Sequence, residues 1–475
     1  MSGLFPRLAP SLRSVAAVAA ILILTADHAA ARPPDADWKA GVATTVITPD
    51  GPIWMAGYAA RNKPSEGVAR DLFAKALALE DAAGNRLVVV TMDLIGLTRP
   101  LRDAVVKQAA DKYHLPAAAL LLNASHTHSG PVVRSGGSTM YGLTPEQSGR
   151  IDRYMATLQD KLVALIGQAL DDRKPARLGY GHARCGFAMN RRFLTPRGYR
   201  IDPNPDGPVD HDVPVLRVEG ADGKLRAVLF GYACHNTTLG QDFYQICGDY
   251  AGYTQQDLEA DHPGAVALFL TGCGGDQNPY PRGKLEMAKQ HGRALANAVE
   301  AALLPPAKPV RGPLRLALDE VTLEFAPPAG RDELLKLKES KDAVDRRKAA
   351  LLLEELEKTG RIRSDYAYPI QVVQFGDDLT LVALAGEVVV DYALRLKREL
   401  PGPTLWVAAY TNDVFGYVPT LRVLHEGGYE GRDAMRYTRF PGPFAPTVEE
   451  RIVGKVHELV RRVRGDEKPG GGKDR

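Results

Sequence analysis

The sequence lacks the charge pattern of a nucleic-acid-binding protein and the long apolar run of a membrane-spanning one. Its formal net charge is only +3 over 475 residues, and its Lys and Arg residues are spread along the chain. A basic patch for nucleic acid is therefore not predicted. No apolar run reaches the roughly 20 residues that a transmembrane helix needs. A small molecule or a lipid is the favoured partner, and nothing indicates an obligate protein partner.

Cysteine is also scarce, and no two of the four cysteines form a Cys-x-x-Cys pair. A sulfur-ligated metal site is therefore not indicated. Cys185, Cys234, Cys247 and Cys273 all lie in the middle part of the chain. They could form up to two disulfides, with three full pairings open, and four buried free thiols are an equally good interpretation.

The first 31 residues have the pattern of an export signal. Two arginines precede a short apolar stretch at 15–24, and Ala29-Ala30-Ala31 offers small residues for cleavage. We therefore expect residues 1–31 to be a signal peptide. The protein would then be exported, either to the periplasm or out of the cell.

Apolar strand patterns alternate with helical patterns through the rest of the chain. Predicted strands at 74–80 and 86–94 flank a turn that contains Gly84, and a helix at 101–113 and a strand at 117–122 follow. This order predicts an α/β fold, with a large mixed β-sheet core flanked by helices. The further predicted strands are 213–218, 225–233, 265–270, 314–325, 370–375, 379–384 and 405–409, and the further helices are 152–171, 284–303, 388–399 and 448–463.

One large domain is expected over residues 32–464. Within it, the segment 331–361 alternates apolar and charged residues at helical spacing, which predicts an exposed helical insertion without chemistry. Residues 465–475, rich in Gly and Lys, are expected to form a flexible tail.

Histidines directly follow two of the predicted strands. His126 and His128 come after the strand at 117–122, and on extended backbone their rings would point the same way. His235 follows the strand at 225–233. Imidazoles bind cations such as zinc, and α/β folds place ligand sites at the carboxyl ends of strands. A metal site is therefore predicted there, in which one ring of the His126/His128 pair could contact substrate instead of the metal; buried core histidines are the alternative interpretation.

A carboxylate and a phenol occupy similar positions later in the chain. Glu387 follows the strand at 379–384 and would open the helix at 388–399, where it could simply complement the helix dipole. Tyr417 comes after the strand at 405–409. Instead of binding a metal, its side chain could simply pack in the core. Because candidate ligand side chains follow several different strands, we expect them to form one shared metal site.

These motifs occur together in the order found in neutral/alkaline (non-lysosomal) ceramidases, and the sequence resembles that family from about Trp38 to Arg464. The motifs that carry the resemblance are Met55-Ala56-Gly57-Tyr58, His126-Thr127-His128-Ser129-Gly130-Pro131, Asn190-Arg191, Cys247-Gly248-Asp249, Gly275-Asp276 with Asn278-Pro279, Gly386-Glu387, Asn412 through Tyr417, and Tyr429-Glu430. The resemblance implies a zinc-dependent hydrolase of linear amides. Its substrate would be ceramide or a related N-acyl lipid, which would also bring the protein into peripheral contact with a membrane surface.

The resemblance also implies a role for each site residue. One zinc ion per chain would be held by His126, His235, Glu387 and Tyr417. His128 and Arg191 would be catalytic and stabilise the oxyanion of the reaction. Residues that orient the metal ligands would be Asp249, Asp276 and Asn412, with turn stabilisation as their alternative role.

Two other functions stay open at this point. The same metal chemistry could act on an N-acyl amino acid, a lipopeptide or an envelope sugar derivative, because the loop after His235 departs from the family pattern. A non-catalytic envelope protein that binds lipid or metal is the alternative from a different class. An acyl-chain substrate predicts an apolar groove beside the metal, whereas a charged groove would indicate a polar acyl donor.

Overall fold

The computed structural model describes residues 37–134, 139–400, 402 and 404–465. The predicted signal peptide and all but the first residue of the predicted tail lie outside these residues. Within the described part of the chain, no helix is both long and apolar enough to cross a bilayer.

The described residues contain ten α-helices and twenty strands. The helices are α1 (Arg99–Tyr113), α2 (Pro145–Asp171), α3 (Asp249–Asp261), α4 (Leu285–Leu303), α5 (Arg331–Lys338), α6 (Ala343–Thr359), α7 (Asp391–Glu399), α8 (Leu421–Glu426), α9 (Gly428–Gly431) and α10 (Val448–Arg464). The strands are β1 (Trp38–Val46), β2 (Gly67–Val68), β3 (Phe73–Asp81), β4 (Arg86–Met92), β5 (Leu120–Ala124), β6 (Lys174–Arg184), β7 (Ala188–Thr195), β8 (Gly198–Asn204), β9 (Asp212–Gly220), β10 (Leu225–Tyr232), β11 (Gln245–Ile246), β12 (Val266–Thr271), β13 (Gln277–Pro279), β14 (Lys308–Val310), β15 (Leu314–Glu324), β16 (Asp365–Phe375), β17 (Leu379–Leu384), β18 (Glu387–Val388), β19 (Thr404–Ala408) and β20 (Tyr417–Val418).

Two mixed sheets form the centre of the fold. The larger has nine strands, in the order β12-β10-β9-β6-β1-β3-β4-β5, with β14 also paired to β6. The smaller has the order β15-β16-β17-β19. The pairs β4/β5, β10/β12 and β17/β19 are parallel, whereas the other neighbours in these two sheets are antiparallel. The prediction of a mixed α/β fold is confirmed.

Alternate side chains of each strand enter different layers of the core. In β4, Val88 and Val90 join the cluster under α1 and α2, while Leu87 and Val89 pack between the two sheets. In β17, Leu381 packs between the sheets and Val382 lies in the cluster that includes α7 and α10. Burying each such side chain contributes about 1.5 to 3 kcal/mol, so the layers hold the strand ends in fixed positions.

Hydrogen bonds join the carboxyl ends of strands from both sheets. The side chain of Asn123 in β5 donates to the carbonyl of Ala409 at 2.7 Å and accepts from the amide of Thr271 at 3.0 Å. Single bridges join Asn123 to Thr411 and Gly272 to Ala408. The segments that follow β5, β12 and β19 therefore meet at one edge.

Three expectations about local structure have a definite outcome. The helix predicted from 388 begins only at Asp391, because Glu387 and Val388 form β18 by pairing with Tyr417 and Val418. The cysteines of the described chain are all buried free thiols. Residues 331–338 and 343–359 are helical.

Candidate active site

Four side chains from distant parts of the sequence meet at one point. The Oε2 atom of Glu387 lies 3.1 Å from Nε2 of His126 and 3.2 Å from Nε2 of His235. The hydroxyl of Tyr417 lies 3.2 Å from the same His235 nitrogen. Glu387 and Tyr417 are neighbours because β18 and β20 pair in register. These are the four residues predicted as metal ligands.

The backbone determines which nitrogen of each imidazole faces this point. Nδ1 of His126 is 2.6 Å from the carbonyl oxygen of Ile95, and Nδ1 of His235 is 2.7 Å from that of Gly274. A carbonyl can only accept, so Nδ1 of each ring carries a proton, and in the neutral form of each ring Nε2 has the lone pair. Metal-binding histidines are oriented in the same way.

The site fits a bound cation because several acceptor atoms lie close together and none of them donates a proton to another. Oε2 of Glu387 is buried and accepts no hydrogen bond from any described residue, although two imidazole nitrogens lie beside it. Ligand atoms around a tetrahedral zinc ion, with bonds of about 2.0 to 2.1 Å, are separated by about 3.3 Å. The observed spacings of 3.1 to 3.2 Å are close to this value.

The protonation states of His235 and Glu387 also suit metal binding. Burial, aided by the Arg191 charge, lowers the pKa of His235 to about 3, so its ring is neutral. Burial would raise the pKa of Glu387, but positive charge at the adjoining His126 and His235 rings lowers it well below its usual range, and a bound cation would do the same with both rings neutral. A neutral imidazole and an ionised carboxylate are the forms that bind a metal.

His126 does not lie on extended backbone, contrary to the expectation for this segment. Its φ is 63°, in the left-handed region, and its amide donates to the carbonyl of Leu94 at 2.9 Å. A non-glycine residue held there costs about 1 to 3 kcal/mol, and such strain is common at functional sites. The two histidines still converge, since their Nε2 atoms are 3.2 Å apart.

His128 differs from the two anchored histidines. By distance alone it could join them, because the three imidazoles offer nitrogens within 4.8 Å of one another. Its Nδ1, however, is buried and has no hydrogen-bond partner in the part of the chain that the structure describes. The ring lies over Gly57, where an added Cβ would be only 2.3 Å from Nδ1. This glycine, with a φ of 95°, leaves the space that the His128 ring occupies.

Arg191 lies behind Tyr417 and is not among the described residues that line the cleft. Its Nη2 donates to the Tyr417 hydroxyl at 2.8 Å, and its Nε donates to Glu430 at 2.8 Å. A third donor reaches Asn278 at 3.1 Å. The structure thus connects Arg191 to the site through Tyr417.

The three residues predicted to orient the ligands brace the backbone around them. Asp276 accepts from the amide of Val390 at 2.8 Å and from the side chain of Asn190 at 3.0 Å. Asp249 accepts from the amide of Leu239 at 2.9 Å, in the loop after His235. Asn412 bonds to the backbone of Leu122 and to Gln371. The imidazoles of His126 and His235 are held by carbonyl groups instead, and the Tyr417 hydroxyl by Arg191.

A cleft of about 180 Å³ opens beside this site. His126, His128, Glu387 and Tyr417 all line it. The rest of its wall is mainly apolar, and the aliphatic, thioether and phenyl side chains there are Ile95, Val132, Val133, Met140, Val414 and Phe415. The lining agrees with the apolar groove expected for an acyl chain.

Two further residues at the site were not predicted from the sequence. The ring of Tyr410 lies 4.6 Å from that of His126, and its hydroxyl is buried without a partner among the described residues. The buried guanidinium of Arg61 donates to the carbonyl of His128 at 2.6 Å. Tyr410 follows β19 by two residues, so the strand-end rule could have identified it. No local signal distinguishes Arg61 from a surface arginine.

Comparison with known proteins gives a consistent result. Residues 38–290 match the sequence profile described as neutral/alkaline non-lysosomal ceramidase, N-terminal. The chain is 28% identical to the neutral ceramidase of Pseudomonas aeruginosa over 272 residues, which is 54% of this chain and 39% of that protein. It is 28% identical to neutral ceramidase B of Dictyostelium discoideum over 246 residues, which is 48% of this chain and 33% of that protein. The matches span well under half the length of these relatives.

The fold is also similar to a solved structure. The crystal structure of the neutral ceramidase from Pseudomonas aeruginosa superposes with a TM-score of 0.71 at 21% sequence identity, covering 93% of this chain and 77% of that one. A structure described as a ceramidase complexed with C2 has the same TM-score, at 20% identity. At this level of identity the likeness establishes the fold.

Proposed function

Because the chain belongs to the neutral/alkaline non-lysosomal ceramidase family, we propose that it is a zinc-dependent amide hydrolase. It would cleave the N-acyl amide of ceramide or of a related N-acyl lipid into a fatty acid and a free amine. One zinc ion per chain would be held by His126, His235, Glu387 and Tyr417. The observation that supports this most is the meeting of two unprotonated imidazole nitrogens with the unpartnered Glu387 oxygen.

Zinc, when bound, supplies Lewis-acid chemistry that activates water and polarises an amide carbonyl. The protein's part begins with position, since the fastened strand ends fix the four ligand atoms before substrate arrives. Glu387 contributes the negative charge of the site, and the two neutral imidazoles add none. The cation site therefore keeps a net positive charge toward the substrate.

His128 is the candidate for proton transfer. Burial and the adjacent rings lower the pKa of His128 well below its usual value, so its imidazole is neutral and can accept a proton. It can take this proton from the attacking water and deliver it to the leaving nitrogen of the amide. Its unpartnered Nδ1 and its position on the cleft wall suit this role better than a second structural one.

Arg191 would act through Tyr417 rather than on the substrate. Its guanidinium counteracts the rise in the pKa of the Tyr417 hydroxyl that burial causes, and it fixes the direction of that oxygen. The pKa of the Tyr417 hydroxyl stays raised, so it would bind a metal as a phenol oxygen whose direction Arg191 fixes. Arg191 is therefore proposed as a positioning residue.

The apolar cleft would supply substrate affinity. An acyl chain gains about 0.8 kcal/mol for each methylene group that leaves water. The side chains of Val132, Met140 and Phe415 offer such surroundings beside the ligand atoms. The proposal includes export of the chain by the signal at residues 1–31, a zinc hydrolase domain over 32–464, and peripheral contact with a lipid surface.

The proposal is tested by measuring amide hydrolysis together with metal content. Purified protein is dialysed against a chelator and then assayed with a fluorescent short-chain ceramide before and after one equivalent of zinc is added. We expect activity to vanish on chelation and to return with zinc. Zinc bound at unit stoichiometry, without release of fatty acid from any N-acyl amide, would support a binding protein instead.

A further inference from the structure

A second pocket, of about 520 Å³, adjoins the cleft. The two share a wall made by Thr98, Val133, Arg134 and Phe415, so they lie on opposite sides of these side chains. The chemical character changes at this wall. Beyond it, the lining includes four guanidinium groups, which belong to Arg99, Arg134, Arg363 and Arg439, and two carboxylates, which belong to Asp152 and Asp413.

Two of the four arginines have protein counterions. Nε of Arg99 lies 3.1 Å from Asp413, and its Nη1 lies 2.5 Å from Glu320. Nε of Arg363 lies 2.9 Å from Glu355. Their charges are compensated within the fold, and Asp413 is further engaged by the hydroxyl of Tyr366.

Arg134 and Arg439 form no hydrogen bond or ion pair within the described part of the chain. Arg134 is half-buried, whereas Arg439 is exposed. Burial lowers the pKa of Arg134, and the charge of Arg439 adds to this while Asp413 opposes it. Two guanidinium groups that repel each other, one of them withdrawn from water, are stabilised when an anion lies between them.

The start of α1 adds to the positive potential of this pocket. Thr98 is the N-cap of the helix, and Arg99 is its first residue. The first turn carries no acidic side chain. The uncompensated amide groups and dipole of a helix N-terminus favour a negative charge nearby.

We propose that this pocket binds an anionic group on the amine half of the substrate, a carboxylate or a phosphate. The apolar cleft receives the acyl chain, and the part beyond the amide nitrogen extends past Arg134. Guanidinium groups suit such an anion because their planar donors match two of its oxygens. The inference rests on the proposed function, since it names the substrate class of the same site.

The test compares matched neutral and anionic amides. One series contains N-dodecanoyl ω-amino acids from glycine to 6-aminohexanoate, and the other contains the amino alcohols of the same lengths. We expect kcat/KM to be higher for the carboxylate at one or more lengths. Arg134→Gln and Arg439→Gln should each lower the ratio of carboxylate to alcohol about tenfold or more, as expected for a charge-assisted hydrogen bond.

Arg461→Gln is the charge-matched control, because Arg461 is exposed on α10 and lines neither pocket. Its ratio should equal that of the wild type. Zinc content and thermal melting are measured for every variant, so that a misfolded protein is recognised; the two pocket variants provide independent readings.

The outcomes separate this inference from the proposed function. Hydrolysis of both series with no preference, or with ratios that neither arginine variant changes, overturns the anion pocket and leaves the amidase intact. Hydrolysis of neither series, nor of ceramide, overturns both. If inorganic phosphate instead changes the rate on the alcohol series in an Arg134-dependent way, the pocket binds a free anion and the substrate assignment is wrong.

Discussion

Nη2 of Arg191 donates a hydrogen bond to the hydroxyl oxygen of Tyr417, 2.8 Å away, and that oxygen lies 3.2 Å from Nε2 of His235. A buried arginine is thereby connected to the proposed cation site through one phenol. Two more of its donors bind Glu430 and Asn278, so its orientation does not depend on a substrate.

Removing the phenol oxygen should weaken metal binding without unfolding the protein. In Tyr417→Phe the ring can keep its packing and the guanidinium keeps Glu430 and Asn278, while one ligand atom is lost. We expect zinc affinity to fall about 10- to 100-fold, a size typical of a perturbed metal site. Competition with a chromophoric chelator measures it. Tyr437→Phe, in the same cleft, should retain the wild-type affinity, and equal losses in both variants would contradict the assignment.

Substitutions of the two histidines in the hexapeptide should have different effects, one on metal binding and the other on turnover. His126→Ala removes an anchored nitrogen, so zinc content and activity should both fall. His128→Ala should keep zinc and lower kcat by about a hundredfold or more, because it removes the proton-transfer group. Zinc content and fatty-acid release are measured on both variants. Loss of zinc from His128→Ala alone would reverse the two roles.

Gly57→Ala should imitate the loss of His128 without touching that residue. The added Cβ would lie 2.3 Å from Nδ1 of His128 and displace the ring. Gly51→Ala is the matched control, since Gly51 also has a positive φ, of 87°, but an added Cβ there has no atom within 4 Å. The positive φ should cost both variants about 1 to 2 kcal/mol of stability, and Gly57→Ala should lose more because its Cβ also displaces a buried ring. Only Gly57→Ala should lose activity, with zinc retained, and equal activity in the two would contradict the packing argument.

The buried carboxyl of Asp276 predicts a pH dependence of stability. Burial raises the pKa of Asp276 to about 6, from 3.8. Between these values the folded protein retains a proton that the unfolded chain has released, so stability falls as pH rises through this window and is level above it. The change is about 3 kcal/mol in the metal-free protein.

Urea unfolding at pH 4 and pH 6.5 measures this dependence. Asp276→Asn cannot titrate, so its stability should fall by less than that of the wild type over the same interval. Asp206→Asn, at an exposed position, should behave as the wild type does. A wild type and an Asp276→Asn variant with identical slopes would show that Asp276 is ionised throughout.

The parts of the fold that follow from hydrophobic pattern were predictable. Strands such as β4 and β17, with apolar residues that enter two core layers, lie close to the ranges expected from sequence. The hairpin between β3 and β4 was also expected, because its turn contains Gly84. The main strands of the mixed sheet and the helices around it can therefore be predicted from local sequence patterns.

The parts that depend on long-range pairing were not predictable. Strand β6 carries Gly, His and Arg among its apolar residues, and its pairing with β9 is what orders it. Two-residue strands such as β18 exist only because a distant partner, β20, lies beside them. The left-handed backbone at His126 is likewise imposed by neighbouring segments, so a view of the hexapeptide alone suggests extended backbone.

The residues of the candidate site could be predicted, because they are ligand-type side chains at strand ends. The hydrogen bonds that hold these side chains in place could not be predicted. His126, His235 and Glu387 follow strands that are recognisable in the sequence. The placement of Arg191 behind Tyr417, and the carbonyl acceptors of the two imidazoles, arise from contacts between segments far apart in the chain. Such partners leave no periodic signal.

The central claim is that one zinc ion occupies the point where His126, His235, Glu387 and Tyr417 meet. The most direct measurement is anomalous diffraction from zinc-loaded crystals, collected just above and just below the zinc absorption edge. We predict one strong peak at bonding distance, about 2.0 to 2.2 Å, from the two Nε2 atoms and Oε2. A zinc-replete protein with no peak there, or with its peak at another cluster of side chains, would contradict the account.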